Sequence, residues 1–330
     1  MEIQFSKLPG SLHIGVVRGG PSPEYDVSLK SGANVLKHLS ETHRPIDIFI
    51  SKDGRWHING VERSPERILK NVDVVYNALH GAYGEDGGIQ EVLDYHGIPY
   101  TGSDKLSSAL AMNKFLTKER AIKAGVKTPI YFFVRENEDP AGKLNQIHKN
   151  LPYPLITKPA SSGSSFGITL ANNPDELLRG LQTAMSSGGG ALVEEYIPGR
   201  EATCGVLENF RGQNTYALPP IEIVHASPQN FFDYDAKYSG QSQEICPGRF
   251  SADEKREIER MSALVHDALG LRHYSRSDFI VSPKRGIYFL EINTLPGLTN
   301  ESLLPKSLDA VGMKFKDFLH HVIGLALDRK

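Results

Sequence analysis

Cysteine is nearly absent. Cys204 and Cys246 are the two in 330 residues. They stand alone and match no zinc-ligand spacing, so both are expected as free thiols of a reducing compartment. Long hydrophobic runs are missing too, which excludes a membrane span. The first residues, Met1 to Leu8, lack the basic-then-apolar pattern of a secretory signal. Charge of one sign is lacking: 37 Lys and Arg face 39 Asp and Glu, a net charge of −2. No cationic surplus remains to neutralise a nucleic-acid backbone. Neither G-x-G-x-x-G nor G-x-x-x-x-G-K-[ST] occurs, so a phosphate would have to be held by another device. No internal repeat is visible. What remains is a globular, cytoplasmic chain with 39% hydrophobic and 23% charged residues, long enough for two or three domains.

The chain alternates strand-like and helix-like runs. His13 to Val17 reads as a first strand, followed by Gly19-Gly20 and a helix to about Leu39. Arg44 to Ile50, Val72 to Leu79 and Ile98 to Thr101 read as further strands. The glycine-rich turn His80 to Gly88 opens a helix through Tyr95. This alternation implies a parallel sheet, with ligands beyond the carboxyl ends of its strands. Glu24 and His80 follow strands and lie near that edge. An Ala- and Leu-rich stretch, Ser103 to Ala124, stops at Gly125 and enters a second unit. Tyr153 to Pro159 runs into the small-residue loop Ala160 to Gly167, and Ile168 to Leu170 resumes a strand. No helix follows directly, so this reads as a hairpin flap rather than a P-loop. Asn173 with Pro174 starts a helix. Ala191 to Ile197 is a strand that turns back at Pro198-Gly199. Phe231 to Gly248 is polar, aromatic and irregular, a candidate functional loop. Ser251 to Glu254 is a capping box, and an amphipathic helix spans about Lys314 to Leu327.

Near the C-terminus a buried strand carries unusual polar residues. Glu291 and Asn293 share one face, while Leu290 and Ile292 share the other. Asp278 lies on the preceding strand, two residues after Arg276 and on its face. Two carboxylates and an amide oxygen are hard ligands, suited to Mg²⁺ beside phosphates. A solvated strand edge satisfies the same spacing. Lys158, just before the small-residue loop, reads equally as a solvated edge or an anion binder. Taken singly, Lys114 and Lys237 are weak signals, since most lysines are surface charges, and Glu194 and Glu201 can simply be exposed beside their turn. Glu24 is a helix-start carboxylate, His80 a turn residue, Tyr238 a packing residue and Cys204 a core residue.

Order and joint completeness decide. Four segments carry a resemblance over nearly the whole chain: Gly19-Gly-Pro-Ser-Pro-Glu-Tyr-Asp-Val-Ser28, Leu79-His-Gly-Ala-Tyr-Gly-Glu-Asp-Gly87, Lys158-Pro-Ala-Ser-Ser-Gly-Ser-Ser-Phe-Gly167 and Leu290-Glu-Ile-Asn-Thr-Leu-Pro-Gly-Leu-Thr299. The chain resembles the D-alanine–D-alanine ligases of the ATP-grasp superfamily. That implies an α/β protein of the ATP-grasp fold: an N-terminal parallel α/β domain (1–103), then two α+β domains that clasp the nucleotide (104–194 with the flap, 195–330 with the metal site and a mobile loop at 225–248).

The resemblance also implies the chemistry. ATP drives the joining of two D-alanines through a D-alanyl phosphate, for peptidoglycan precursors. D-serine or D-lactate as acceptor is the alternative, set against by the intact Lys237-Tyr238. Lys114 and Lys158 would hold ATP phosphates and Lys237 the γ-phosphate. Ser165, Glu194, Glu195 and Ile197 would surround the nucleotide, with Glu201 on the ribose. Asp278, Glu291 and Asn293 would bind two Mg²⁺ ions, with Mn²⁺ as a substitute and a monovalent cation as a further candidate. Glu24 would anchor the first D-alanine, linked to Ser164 and Tyr238. Arg276 and the Gly297 N–H would serve the oxyanion. His80, Ser302 and Leu303 would complete the substrate site. A homodimer is the family's usual assembly. Asn77 stands where the family often has Pro, and Ser161-Ser162 replace bulkier flap residues.

Overall fold

The computed structural model describes residues 8, 12–161, 163, 167–225 and 242–328. The N-terminal unit runs β1 (Ile14–Gly19), α1 (Tyr25–Leu39), β2 (Ile46–Ile50), β3 (Trp56–Ile58), β4 (Val61–Glu62), α2 (Pro65–Leu69), β5 (Val74–Asn77) and α3 (Gly88–Tyr95). Its sheet has the order β4-β3-β2-β1-β5. β2, β1 and β5 are parallel, as the alternation with helices requires. An antiparallel hairpin, β3–β4, extends the sheet beyond β2. It escaped the sequence reading because its strands are too short to show a period. Ile98 to Thr101, expected as a strand, contributes only an isolated bridge from Tyr100 to Val75.

Helices α4 (Lys105–Met112) and α5 (Lys114–Lys123) follow. Asp104 caps α4 by accepting from Ser107 N, and Asn113 caps α5 by accepting from Leu116 N. Gly125, at φ +76°, ends this stretch in a left-handed conformation suited to glycine. Next come β6 (Tyr131–Val134), α6 (Pro140–Asn150), β7 (Leu155–Pro159), β8 (Thr169–Ala171), α7 (Pro174–Met185) and β9 (Ala191–Glu195). They form an antiparallel sheet of order β6-β9-β7-β8. β7 and β8 are the two legs of the expected flap hairpin.

The third sheet holds β10 (Arg200–Phe210), β11 (Gln213–Ala217), β12 (Ile221–His225), β13 (Ser242–Ile245), β14 (Tyr274–Ser282) and β15 (Gly286–Asn293). Its order is β13-β12-β10-β14-β15, with β11 paired to β10. β13 corrects the reading of Phe231 to Gly248 as wholly irregular: Ser242 to Ile245 pair with β12. Three helices complete the chain, α8 (Ala252–Ala268), α9 (Leu303–Ala310) and α10 (Phe315–Leu327). The capping box at Ser251 and Glu254 is formed as expected. α8, α4 and α5 all pack on this third sheet.

α10 returns to the N-terminal unit and packs on α1 and β5. One core therefore joins the chain's two ends: Ile14, Val16 and Tyr76 lie with Tyr274, Phe318, Leu319 and Val322. Phe318 is fully buried and meets Tyr274 edge-on, with centroids 5.3 Å apart. Removing its ring leaves a cavity between two structural units. Phe318→Ala is expected to lower the unfolding free energy by about 3–5 kcal/mol, read from urea denaturation. A loss near zero would mean that α10 does not seal this core.

Candidate active site

β14 and β15 are antiparallel, with Arg276 opposite Asn293 and Asp278 opposite Glu291. Residues paired across strands and spaced by two share a face, so all four side chains converge. Arg276 donates to both oxygens of Asp278 at 3.1 Å. Thr203 Oγ1 donates to Asp278 Oδ1 at 2.6 Å, and Asn293 Nδ2 to Oδ2 at 3.4 Å. Lys114, from the start of α5, places its ammonium 3.3 Å from Glu291 Oε2. Burial opposes the charge on Arg276, but Asp278 more than offsets it and holds the guanidinium pKa above its ordinary value. Among the described residues no cluster of three or more His, Cys, Asp or Glu could hold a metal. The donors here are two carboxylates plus the Asn293 amide, an all-oxygen set that fits Mg²⁺ rather than zinc.

A cleft enclosing about 720 Å³ opens between the second and third sheets. Ile156 and Ile168 form one apolar wall, and Ile280 and Leu290 the other. Apolar walls with a few convergent polar groups are what a small-molecule site requires. At the polar end Lys158 and Glu194 are both almost fully buried. Lys158 Nζ lies 2.9 Å from Glu194 Oε1, and Lys118 Nζ lies 3.0 Å from the same oxygen. Burial pushes Lys118 down to about 8, partly countered by Glu194. Burial works against the Glu194 anion, yet the two lysines hold its pKa below the usual carboxylate value. Glu195, its neighbour on β9, accepts a fork from Arg285 at 2.8 and 3.1 Å and a bond from Ile130 N at 3.0 Å. Glu201 is 2.7 Å from His225 Nε2. Glu195, Ile197, Glu201, Asp278 and Glu291 also line this cleft.

The N-terminal unit meets a second, smaller pocket, where Glu85 lies with Lys114, Gly163, Glu291 and Asn293. Glu24 is the N-cap residue of α1, but its side chain makes no capping bond. Its Oε2 instead rests against two glycines: a Cβ built on Gly81 or Gly163 would stand 2.7 or 2.8 Å from it. The lack of side chains there lets the first glycine turn, the second and the flap meet. His80 is buried, with Nε2 2.8 Å from Ser31 Oγ and Nδ1 2.8 Å from Leu295 O. Burial lowers its pKa. The neutral ring donates from Nδ1 to the carbonyl and accepts from Ser31, which in turn accepts from Leu298 N at 3.2 Å. Glu85 accepts from Gly81 N at 2.9 Å, Thr294 N at 3.2 Å, Thr294 Oγ1 at 3.1 Å and Leu295 N at 3.1 Å. Ser302 stands at the N-cap position of α9 without a capping bond; its hydroxyl accepts from Thr299 N at 3.1 Å, and a Cβ on Gly297 would stand 2.8 Å from it. Leu303 follows as the first residue of that helix.

Most sequence candidates thus meet around one space. Ser164, Ser165, Lys237 and Tyr238 lie outside the described residues. Five residue-by-residue readings are corrected. Lys114 is buried at the start of α5 rather than a surface charge. Leu290 lines the cleft with Glu291 and Ile280 rather than sharing a face with Ile292, because the register shift after Asp278 leaves it as an extra residue of β15. Glu194 is buried rather than exposed, because it is the counter-ion of two lysines. Lys158 is buried rather than a solvated edge. His80 is a buried bracket between α1 and the loop after β15 rather than a turn residue. Sequence reasoning missed Lys118 and Glu85. Lys118 is four residues after Lys114 and so on the same face of α5; that spacing was a readable signal. Glu85 lies inside the glycine-rich turn, where nothing marks it as buried. Asn77 is also buried, and its side chain accepts from Leu79 N at 3.1 Å and donates to Gly84 O at 3.3 Å.

Comparison with known proteins gives a consistent result. The family model described as D-ala D-ala ligase C-terminus matches residues 121–324, and that for the D-ala D-ala ligase N-terminus matches residues 13–68 and 58–103. A D-alanine–D-alanine ligase of Desulfotalea psychrophila is 38% identical over 96% of both chains. One from Geotalea uraniireducens is 40% identical over 95% of both. Among solved structures, the VanG D-Ala:D-Ser ligase of Enterococcus faecalis superposes with a TM-score of 0.83 at 32% identity, covering 96% of this chain and 99% of its own. The D-alanine–D-alanine ligase of Coxiella burnetii superposes with a TM-score of 0.83 at 26% identity, covering 97% and 95%.

Glu85 sets a pH dependence. Burial, and then the charge of Glu24, raise it from 4.5 to about 7, against the hydrogen bonds that it accepts. The folded chain therefore keeps this proton where the unfolded chain has lost it. Its contribution to stability is complete below pH 4.5 and is lost as the pH rises to about 7. The unfolding free energy of the wild type minus that of Glu85→Gln is expected to fall by about 3 kcal/mol across this window and to stay level above it. A difference independent of pH would contradict the assignment.

Proposed function

The chain belongs to the D-alanine–D-alanine ligase family, with the ATP-grasp fold, and from that premise we propose which of its residues carry the reaction. The enzyme is an ATP-dependent ligase that joins two D-alanines into D-alanyl-D-alanine for peptidoglycan synthesis. The observation that carries the assignment of roles is the single polar face of Arg276, Asp278, Glu291 and Asn293 at the end of an apolar cleft.

The adenosine occupies the apolar slot, beside Glu194, Glu195 and Ile197, with Glu201 on the ribose. Lys114 and Lys158 take the phosphates, joined by Ser165 and Lys237. Asp278, Glu291 and Asn293 would hold divalent cations, Mg²⁺ or Mn²⁺, which when bound supply Lewis-acid charge to the triphosphate. A monovalent cation is a further candidate. Glu24 receives the ammonium of the first D-alanine, with Ser164 and Tyr238 drawn toward it and His80 shaping the pocket. The carboxylate of that D-alanine attacks the γ-phosphorus, ADP leaves, and D-alanyl phosphate forms. The amine of the second D-alanine attacks the acyl carbon. Arg276 and the Gly297 N–H receive the charge that develops on the oxygen, and inorganic phosphate leaves. Ser302 and Leu303 hold the second D-alanine. Closure over the site excludes the water that would hydrolyse the acyl phosphate. Tyr238, following Lys237, favours D-alanine as acceptor over D-serine or D-lactate. The curated relatives at 38–40% identity support the same choice.

No helix among the described residues is long and apolar enough to cross a membrane. The working form proposed is a cytoplasmic homodimer.

Phosphate release and product identity measured with ATP, Mg²⁺ and D-alanine alone, then with added D-serine or D-lactate, test this reading. D-alanyl-D-alanine is the expected main product; a mixed product in its place would shift the acceptor. Glu291→Gln and Asn293→Asp are each expected to reduce turnover by about a hundredfold or more, with the far-UV circular dichroism unchanged. Wild-type turnover in either would remove the cation site from β14 and β15.

A further inference from the structure

Lys118 is wholly buried and serves no step above. Its ammonium and that of Lys158 both address Glu194 Oε1, at 3.0 and 2.9 Å. One carboxylate oxygen thus serves two cations. The two lysines differ in access. Lys158 lines the cleft and Lys118 does not. The rest of the Lys118 surroundings are fixed: the Tyr131 ring lies 5.9 Å away, the Tyr131 hydroxyl is bonded to Glu119, and Glu291 adds a weaker attraction. With its pKa at about 8, Lys118 keeps its charge at neutral pH.

Removing the sole counter-ion of a buried carboxylate is strongly unfavourable. Lys158 can leave Glu194 for another anion only if a cation stays behind. Lys118 is that cation, because no exposed path lets it follow. We propose that Lys118 is a positioning residue for nucleotide binding: it holds the charge of Glu194 so that Lys158 can exchange that carboxylate for a phosphate oxygen of ATP. The inference rests on the reading of Lys158 as a phosphate ligand. Without Lys118, Lys158 becomes the only partner of Glu194, and each nucleotide has to break a buried ion pair to recruit it.

Calorimetric titration of the full-length protein with Mg-ATP tests this. Lys118→Met is expected to weaken ATP binding by about tenfold while the KM for D-alanine stays within about twofold. In a Glu194→Gln background, where no carboxylate captures Lys158, adding Lys118→Met should change ATP affinity by less than about threefold. A purely structural role predicts the same loss of about tenfold in both backgrounds. ATP affinity in Lys118→Met equal to wild type, or a loss of more than about threefold when Lys118→Met is added to Glu194→Gln, overturns the proposal. Lys158→Met separates the two levels. Unchanged ATP affinity there sinks the reading of Lys158 itself; a loss there with none in Lys118→Met sinks only the role of Lys118. If Lys118→Met fails to fold, the comparison of Glu194→Gln with the double variant decides alone. A difference below about threefold supports the exchange, and a larger one refutes it.

Discussion

β14 and β15 pair so that Asp278 faces Glu291 and Arg276 faces Asn293, and every other polar group of the cleft is placed relative to that face. A slip of one residue would send all four into the apolar side of the sheet, where Phe279, Phe289 and Ile292 pack. The apolar alternation that buries the opposite face therefore also fixes the site. Burial against α8, α4 and α5 supplies the energy, and the register follows from it. A bulge between Asp278 and Phe279 interrupts the pairing just after the first carboxylate. Bulges re-aim side chains beside functional sites, and this one lies at the residue that accepts from Arg276, Thr203 and Asn293 together.

β9 uses the same alternation for a different end. Glu194 and Glu195 are adjacent, so they point to opposite faces. Glu194 turns inward to Lys118 and Lys158, while Glu195 turns to Arg285 on the far side of the cleft. Buried ion pairs of this kind add little net stability, since desolvation consumes most of the attraction. An apolar trio of equal volume would hold the strand as well. The charges at this place are therefore better explained by what enters the cleft than by the fold.

Much of this was legible in the sequence, and the exceptions have physical causes. The parallel core of the first sheet, the flap hairpin, the capping box before α8 and the polar face of β15 all follow from local pattern. A period of two, a helix start and a small-residue loop are each written within a few residues. The family resemblance then assigned roles that spacing alone left open. What local pattern did not contain was burial by distant segments. Lys158, Glu194 and His80 looked exposed because their partners lie 36, 76 and 215 positions away in the chain, at Glu194, Lys118 and Leu295. Glu85 is the sharpest case. Its four donors come from its own turn and from a segment more than 200 residues later, and no composition rule anticipates such a clamp. The β3–β4 hairpin and β13 were missed for a plainer reason: strands of two to four residues are shorter than the window that reveals alternation.

The three sheets are not joined in the same way. The first and third sheets share one apolar core through Tyr76, Tyr274 and Phe318. His80 and Glu85 add buried hydrogen bonds to the loop at 294–298, so Gly297 and Ser302 are held against α1 as one piece. The second sheet has a core of its own, with Val134, Ile147, Leu155 and Leu181. Its ties to the third sheet run through polar contacts: Arg285 with Glu195, and Phe289 N donating to Lys127 O. To these is added the stacking of Phe115, from α5, on Phe133. An ion pair whose guanidinium is half-exposed, as Arg285 is, costs little to part, whereas separating a core of buried aromatics costs several kcal/mol for each ring. The chain has thus placed its firm contacts between the first and third sheets and its weaker ones across the cleft; on the function proposed above, the second sheet can yield to admit ATP while Glu24, Arg276 and Gly297 stay in register with one another.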